Sequence, residues 1–239
     1  MKILRNCLPV LAFFATTAAY AQTADDIIAK HLDAMGGKDK LSTITSLHME
    51  HTASFMGNDA PSSTTVLNGK GFRNESEFNG QKVVRVYTDK GGWSINPFAG
   101  SDDPQAMPAE QYKAGEDEIY VDPFLNYSDR GAKAELQGQE KVGDVNAYKI
   151  KLTNKDSSSS TYYLDPSTYY VIQILSSTIM MGQEMEVKSN LSDFKKTDQG
   201  FVVPQTIQVS IGDQFTMTSK LNKIDVNPTV DPSVFEMKK

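Results

Sequence analysis

The sequence predicts a mainly β protein: an unclosed, strongly curved antiparallel β-barrel of about eleven strands, with an N-terminal helix and a helical lid. Three observations predict it. From Leu47 onward apolar residues recur with a period of two. Nearly every break between runs is a short turn, so neighbouring strands run antiparallel. The exception is one long interruption from Asn96 to Tyr127, which carries Met107, Tyr112, Ile119, Phe124 and Leu125. That stretch is too apolar for a linker, and a long excursion inside a compact β domain is usually functional. It reads as a lid over the mouth of the sheet.

The chain opens with Lys2 and Arg5, an apolar run from Leu8 to Ala15, and Ala19-Tyr20-Ala21. This is the pattern of a secretory signal peptide, spanning residues 1–21 with cleavage before Gln22. Cys7, the only cysteine, lies within it, so residues 22–239 are expected to hold no disulfide and no cysteine metal site. Those residues suit a single domain. The whole chain has a net charge of −6, which becomes −8 when Lys2 and Arg5 leave with the leader. A nucleic-acid partner is disfavoured, because phosphate neutralisation needs a basic surface. No later segment is long and apolar enough to cross a membrane as a helix. Export without anchor or disulfide points to a periplasmic location.

Thr23 to Met35 reads as a helix. Thr23 can cap it, with Asp26 as partner in a capping box. Ile28, Leu32 and Met35 form one apolar stripe, and Gly36-Gly37 stops the helix. Lys38 to Ile44 fits a short second helix.

The strands follow. Runs centre on Met49–Phe55 and Thr64–Phe72, then on a hairpin either side of Asn79-Gly80, whose residues supply the positive φ values of a tight turn. Trp93-Ser94-Ile95 comes next. After the lid come Lys133–Val142, Ala147–Thr153, Thr161–Leu164, Tyr169–Ile179, Glu184–Phe194, Phe201–Ile211 and Phe215–Val226. In Phe201–Ile211 the apolar set is Phe201, Val203, Ile207, Val209 and Ile211, so one side is wet. Tyr169–Ile179 has Val171 and Leu175 opposed to Ile172 and Ile174, which predicts a helix over its second face, with the Ile28 stripe as the candidate. An apolar phase slip between Leu221 and Ile224 predicts a bulge.

Motifs of chemistry are sparse. His48 and His51 are three apart on a strand and point to opposite faces. His31 has no helical partner at i+3 or i+4 and reads as solvated or hydrogen-bonded. Asp102-Asp103 and Glu116-Asp117-Glu118 lack calcium-loop spacing. No nucleophile elbow, zinc-protease motif or phosphate loop occurs. No cofactor or metal is expected, and no enzymatic activity.

Several groups of residues are then similar, in order and spacing, to one family. These are Gly36-Gly37 with Leu41, Ile44, Ser46 and Leu47; Gly92-Trp93-Ser94-Ile95-Asn96-Pro97-Phe98 with Met107-Pro108-Ala109-Glu110; Tyr162-Tyr163-Leu164-Asp165; and Val203-Pro204. Over nearly all of residues 22–239 the chain resembles the outer-membrane lipoprotein-sorting proteins. The resemblance implies the fold of the periplasmic lipoprotein carrier, an open barrel with a helical lid. It implies a role in shielding the acyl chains of lipoproteins between an inner-membrane lipoprotein-releasing transporter and an outer-membrane acceptor. It also implies a strand arginine that ties down the lid, for which Arg85 and Arg73 are the candidates.

An acyl chain of roughly 16 carbons loses about 0.8 kcal/mol per methylene in water, so a carrier must offer an apolar hollow. The expected lining is Val84, Val86, Trp93, Ile95 and Phe98 from the sheet, with Met107, Tyr112, Ile119, Phe124 and Leu125 from the lid. Trp93 fits either a cavity wall or an ordinary strand aromatic. Flexible thioethers at Met107, Met180, Met181, Met185 and Met217 suit varied apolar shapes. The function expected is a non-enzymatic carrier of lipoproteins or related lipids. The alternative is a lipid-sensing module of the same fold without transfer activity.

Overall fold

The computed structural model describes residues 22–180, 182–212 and 215–238. The signal peptide, its cleavage before Gln22, and Cys7 lie outside the described residues. Helix α1 (Ala24–Ala34) starts at Thr23, and both halves of the Thr23–Asp26 capping box form. Helix α2 is one turn, Lys38–Leu41.

Six strands follow: β1 (Ser46–Phe55), β2 (Asn58–Leu67), β3 (Gly71–Phe78), β4 (Gln81–Thr88), β5 (Gly91–Asn96) and β6 (Ser101–Ala106). The crossing segment then carries the short helix α3 (Ala109–Lys113) and two 3-10 turns, Glu116–Ile119 and Ser128–Arg130. The second half has β7 (Lys133–Val142), β8 (Val145–Thr153), β9 (Ser159–Leu164), β10 (Val171–Met180) and β11 (Gln183–Ser192). A small ribbon, β12 (Lys195–Lys196) and β13 (Val202–Val203), precedes β14 (Thr206–Ile211) and β15 (Phe215–Val226). A 3-10 turn at Pro232–Phe235 ends the fold.

Thirteen strands form one sheet in the order β6-β5-β4-β3-β2-β1-β15-β14-β11-β10-β9-β8-β7. The sheet does not close, and β6 and β7 are its edges. The sequence reading had about eleven strands. It ran the end of β2 and the start of β3 together as Thr64–Phe72, where the structure has a turn at residues 68–70. It also assigned Ser101–Ala106 to the lid, whereas this stretch pairs with β5 as an edge strand. Two aspartates and Pro104 hide that strand, because proline is tolerated only where no neighbour needs its missing N–H.

Asn79 (φ 52°) and Gly80 (φ 75°) make the expected hairpin turn. The bulge expected before Ile224 is present: Glu50 pairs with Lys223 and His51 with Leu221, leaving Asn222 over. A second bulge corrects the reading of β10. Val171 pairs with Leu164 and Ile174 with Tyr162, which returns Val171 and Ile174 to one face. Both pack into the core that α1 covers with Ile28, so the helix lies over the face of Val171 and Ile174, and Leu175 is left half-buried on the other.

The sheet has two unlike sides. Register places Leu47, Val66, Phe72 and Tyr87 on one side, the concave one. There α1, α2 and residues 121–132 form the main core with Ile150, Leu152, Tyr162, Leu164 and Phe201. On the convex side the chain end folds back. Val230, Val234 and Phe235 pack against Leu67, Val84, Val86, Trp93 and Ile95.

Candidate functional site

The lid crosses the concave face, and its seat is built from the sheet upward. In β4, Arg85 and Tyr87 point into the concavity while Val84 and Val86 point out, as alternation demands. Tyr87 meets Phe72, Val66 and Ile119. Gly115 passes so close above Tyr87 that a Cβ there would collide with the phenol ring and its oxygen. The Tyr112 hydroxyl donates to the Thr88 carbonyl at 2.7 Å. Burial pushes the Tyr87 hydroxyl up to about 12, so it stays protonated.

Arg85 Nη2 donates to Glu118 Oε2 of the lid at 2.9 Å. The pair stands at the edge of the concavity, enclosed by protein on one side and open to water on the other. Burial holds the Glu118 carboxyl above its ordinary value, and Arg85 offsets only part of that. Further along, Phe124 and Leu125 enter the main core, and Asp122 meets buried His31 at 3.1 Å. Arg130 donates to the carbonyls of Leu125 (2.6 Å) and Pro123 (2.7 Å), and its guanidinium lies 3.8 Å from the centre of the Tyr120 ring.

The expected site residues therefore separate. Met107, Tyr112, Ile119, Phe124 and Leu125 all lie on the concave side, where they fill the space beneath the lid themselves. The hollow expected there is corrected: it is packed. Val84, Val86, Trp93 and Ile95 face the convex side and cannot line a cavity below the lid. Trp93 is 7% exposed, and its Nε1 donates to the Phe235 carbonyl at 2.8 Å. Phe98, 62% exposed, sits in the turn between β5 and β6. Arg73 shares the convex face, where it pairs with Glu75 and donates to the Val234 carbonyl at 2.7 Å. It holds the C-terminal segment, not the lid. A pocket of about 370 Å³ opens beside it, between His48, Thr65 and Glu75 and residues 228–234.

What remains open is the other half of the concave face, toward the hairpin tips at Met56-Gly57, Asn79-Gly80 and Gly182. Register places Phe55, Phe78, Met217, Val209, Ile211, Val187 and Met185 there, all half-exposed. Phe215, on the same face, is 38% exposed. The Phe55 ring stacks on Phe215 at 6.5 Å and meets Phe78 edge-on at 6.4 Å, so three aromatics rim the mouth. Beneath them small residues pair, Ala53 with Ala60 and Ser62 with Ser76, and Ala53, Ala60 and Ser76 are buried. The sequence reading missed this wall. Its signal was the alternation of Val209 and Ile211 and the thioethers at Met185 and Met217. What was lacking was the height at which the lid crosses.

Among the described residues no group of three or more His, Cys, Asp or Glu side chains could hold a metal ion. No described helix is long and apolar enough to cross a membrane. The arrangement leaves partly exposed apolar side chains on the concave face beyond the lid.

No family model matches the chain, and no curated protein matches it. Solved structures do. A LolA superfamily protein from Nitrosomonas europaea superposes with a TM-score of 0.59 at 12% identity, covering 92% of this chain and 99% of that one. A DUF1329 family protein from Desulfovibrio piger gives 0.58 at 13% identity, covering 90% and 98%. An outer membrane lipoprotein-sorting protein domain from Vibrio parahaemolyticus gives 0.57 at 9% identity, covering 88% and 94%. The chain has a LolA-like fold: a large antiparallel sheet that does not close, with few helices.

Proposed function

We propose that this protein is a periplasmic, non-enzymatic carrier that shields the acyl chains of lipoproteins or related lipids on their way toward the outer membrane. The observation that carries this reading is the half-exposed apolar trough above the lid, rimmed by Phe55, Phe78 and Phe215. A large contiguous apolar surface left open to water marks a binding site. The fold shared with a lipoprotein-sorting domain supports the choice of cargo. A barrel that does not close need not fill its interior with its own side chains. With the lid seated, part of the cargo lies in the trough, and a longer chain needs the lid to swing away from Tyr87 and Phe72.

The test is binding of a fluorescent fatty-acid probe, together with native mass spectrometry of protein purified from its periplasm. Met217→Glu places a charge in the wall opposite Phe55. It is expected to weaken probe binding at least tenfold while leaving the melting temperature within a few degrees. Equal probe binding by this variant, with no co-purifying lipid on the native protein, would sink the proposal. Passage of bound lipid from inner membranes to an acceptor separates a carrier from a module that only binds.

A further inference from the structure

The lid is fastened at one point by a group that the lipid trough does not touch. His31 of α1 is 2% exposed. Its Nδ1 lies 2.8 Å from the backbone oxygen of Tyr169, in the turn between β9 and β10. Its Nε2 lies 3.1 Å from Asp122 Oδ2, in the lid. The ring edge packs on Phe124, with centroids 5.4 Å apart.

Hydrogen-bond chemistry fixes the protons. A carbonyl oxygen only accepts, so Nδ1 carries hydrogen. Asp122 Oδ1 already accepts the backbone N–H groups of Phe124 (2.8 Å) and Leu125 (3.2 Å), an arrangement that favours the ionised carboxylate. An ionised carboxylate also only accepts, so Nε2 carries hydrogen as well. With both ring nitrogens donating, the imidazole is charged.

We propose that His31 and Asp122 form a protonation-controlled latch: the lid stays seated while His31 is an imidazolium and is released when the ring loses its second proton. The proposal rests on reading residues 107–127 as a lid, and it concerns the regulation of that site.

The surroundings leave Asp122 as the one charge in hydrogen-bond contact with the ring among the described residues. From the turn after the lid, Arg130 is engaged with the carbonyls of Leu125 and Pro123. On α1 itself, the Lys30 ammonium donates to the Tyr169 hydroxyl at 3.2 Å, and Asp25 accepts from Tyr127 at the outer edge. From β9, Tyr162 packs on Phe124 at a tilt, with ring centres 4.8 Å apart, and burial keeps its hydroxyl protonated. Burial of His31 favours loss of its proton, but Asp122 and the Tyr169 carbonyl outweigh that and hold its pKa above the ordinary imidazole value. Burial likewise raises Asp122, and His31 with the two amides reverses it.

The sign follows. A histidine whose pKa is raised on folding stabilises the closed form at low pH, and that stabilisation is lost as pH climbs through the folded-state value. Once neutral, the ring can donate to only one of its two partners. The other is left buried without a hydrogen bond, and moving residues 119–127 outward lets water reach Asp122.

Nitrogen NMR of the His31 ring and amide exchange at Phe124 and Leu125 test this on the intact protein. At pH 6 both ring nitrogens should be of N–H type. On titration to pH 9, exchange protection, corrected for its intrinsic pH dependence, should fall at least tenfold with the midpoint of the His31 titration. His31→Gln should exchange fast at all pH values with no step. Asp122→Asn should move the step to lower pH, and it keeps an acceptor for the two amides should the His31 variant misfold. A neutral ring at pH 6, flat protection through the titration, or the same step in His31→Gln overturns the proposal. Exchange needs no lipid, so failure of the latch and failure of the carrier reading are distinguishable.

Discussion

Replacing Trp93 by alanine separates the two sides of the sheet. The indole is almost wholly buried against Val84, Val86 and Phe235, and the Arg73 guanidinium lies 5.4 Å from its ring centre. Deleting a buried tryptophan costs about 3–5 kcal/mol, and here it also leaves the Phe235 carbonyl without its donor. For a domain of this size each kcal/mol lowers the melting temperature by about 2–4 °C, so a fall of about 6–20 °C is expected. Trp93→Phe keeps most of the packing and loses the hydrogen bond, so about 1–2 kcal/mol is expected. The convex face does not meet the trough, so fatty-acid probe affinity per folded molecule should stay within about twofold for both variants. Thermal melts followed by dichroism, and probe titration well below the midpoint, make the comparison. A near-native melting temperature with lost probe binding would refute the assignment and return Trp93 to the cargo side.

Arg85→Met removes the Arg85–Glu118 tie at the partly open lid edge; such pairs contribute about 0.2–1 kcal/mol, so limited proteolysis within residues 107–127 should quicken by up to about fivefold. No change would mean that the pair is incidental. Glu116→Gln tests the strained end of the lid, where burial, then Asp156 and Asp117, push the carboxyl up to about 6. A carboxyl raised on folding opposes the fold above its own pKa and is harmless well below the unfolded value, so the amide should stabilise at pH 7.5 and not at pH 4. After discounting for solvent the gain is about 1 kcal/mol, or about 2–4 °C; an equal gain at both pH values would refute the electrostatic cause.

Local chemistry was legible where the pattern is local. Thr23 and Asp26 announced the helix start, Asn79-Gly80 the hairpin, and the phase slip near Leu221 the bulge. The open curved sheet followed from consecutive alternating strands. Facing was not legible. Val84, Val86, Trp93 and Ile95 alternate correctly, but alternation does not say which side is concave. The short C-terminal run ending at Phe235 gave no sign that it would cover the convex one. The bulge in β10 was hidden because Val171, Ile172 and Ile174 are all apolar, so a one-residue slip changes nothing in composition. His31 looked partnerless because its partners are distant in sequence, at Asp122 and Tyr169.

A barrel that stops short of closure must live with two bare margins, each an invitation to another chain. The first, β6, presents Asp102, Asp103 and Pro104. The last, β7, presents Lys133, Glu135, Glu140 and Lys141, and its pairing with β8 slips between Leu136 and Gln139. Charges, a proline and a broken ladder are what keep sheets from stacking edge to edge into fibres. The gap between the two margins is thus guarded against pairing with another copy of the same sheet.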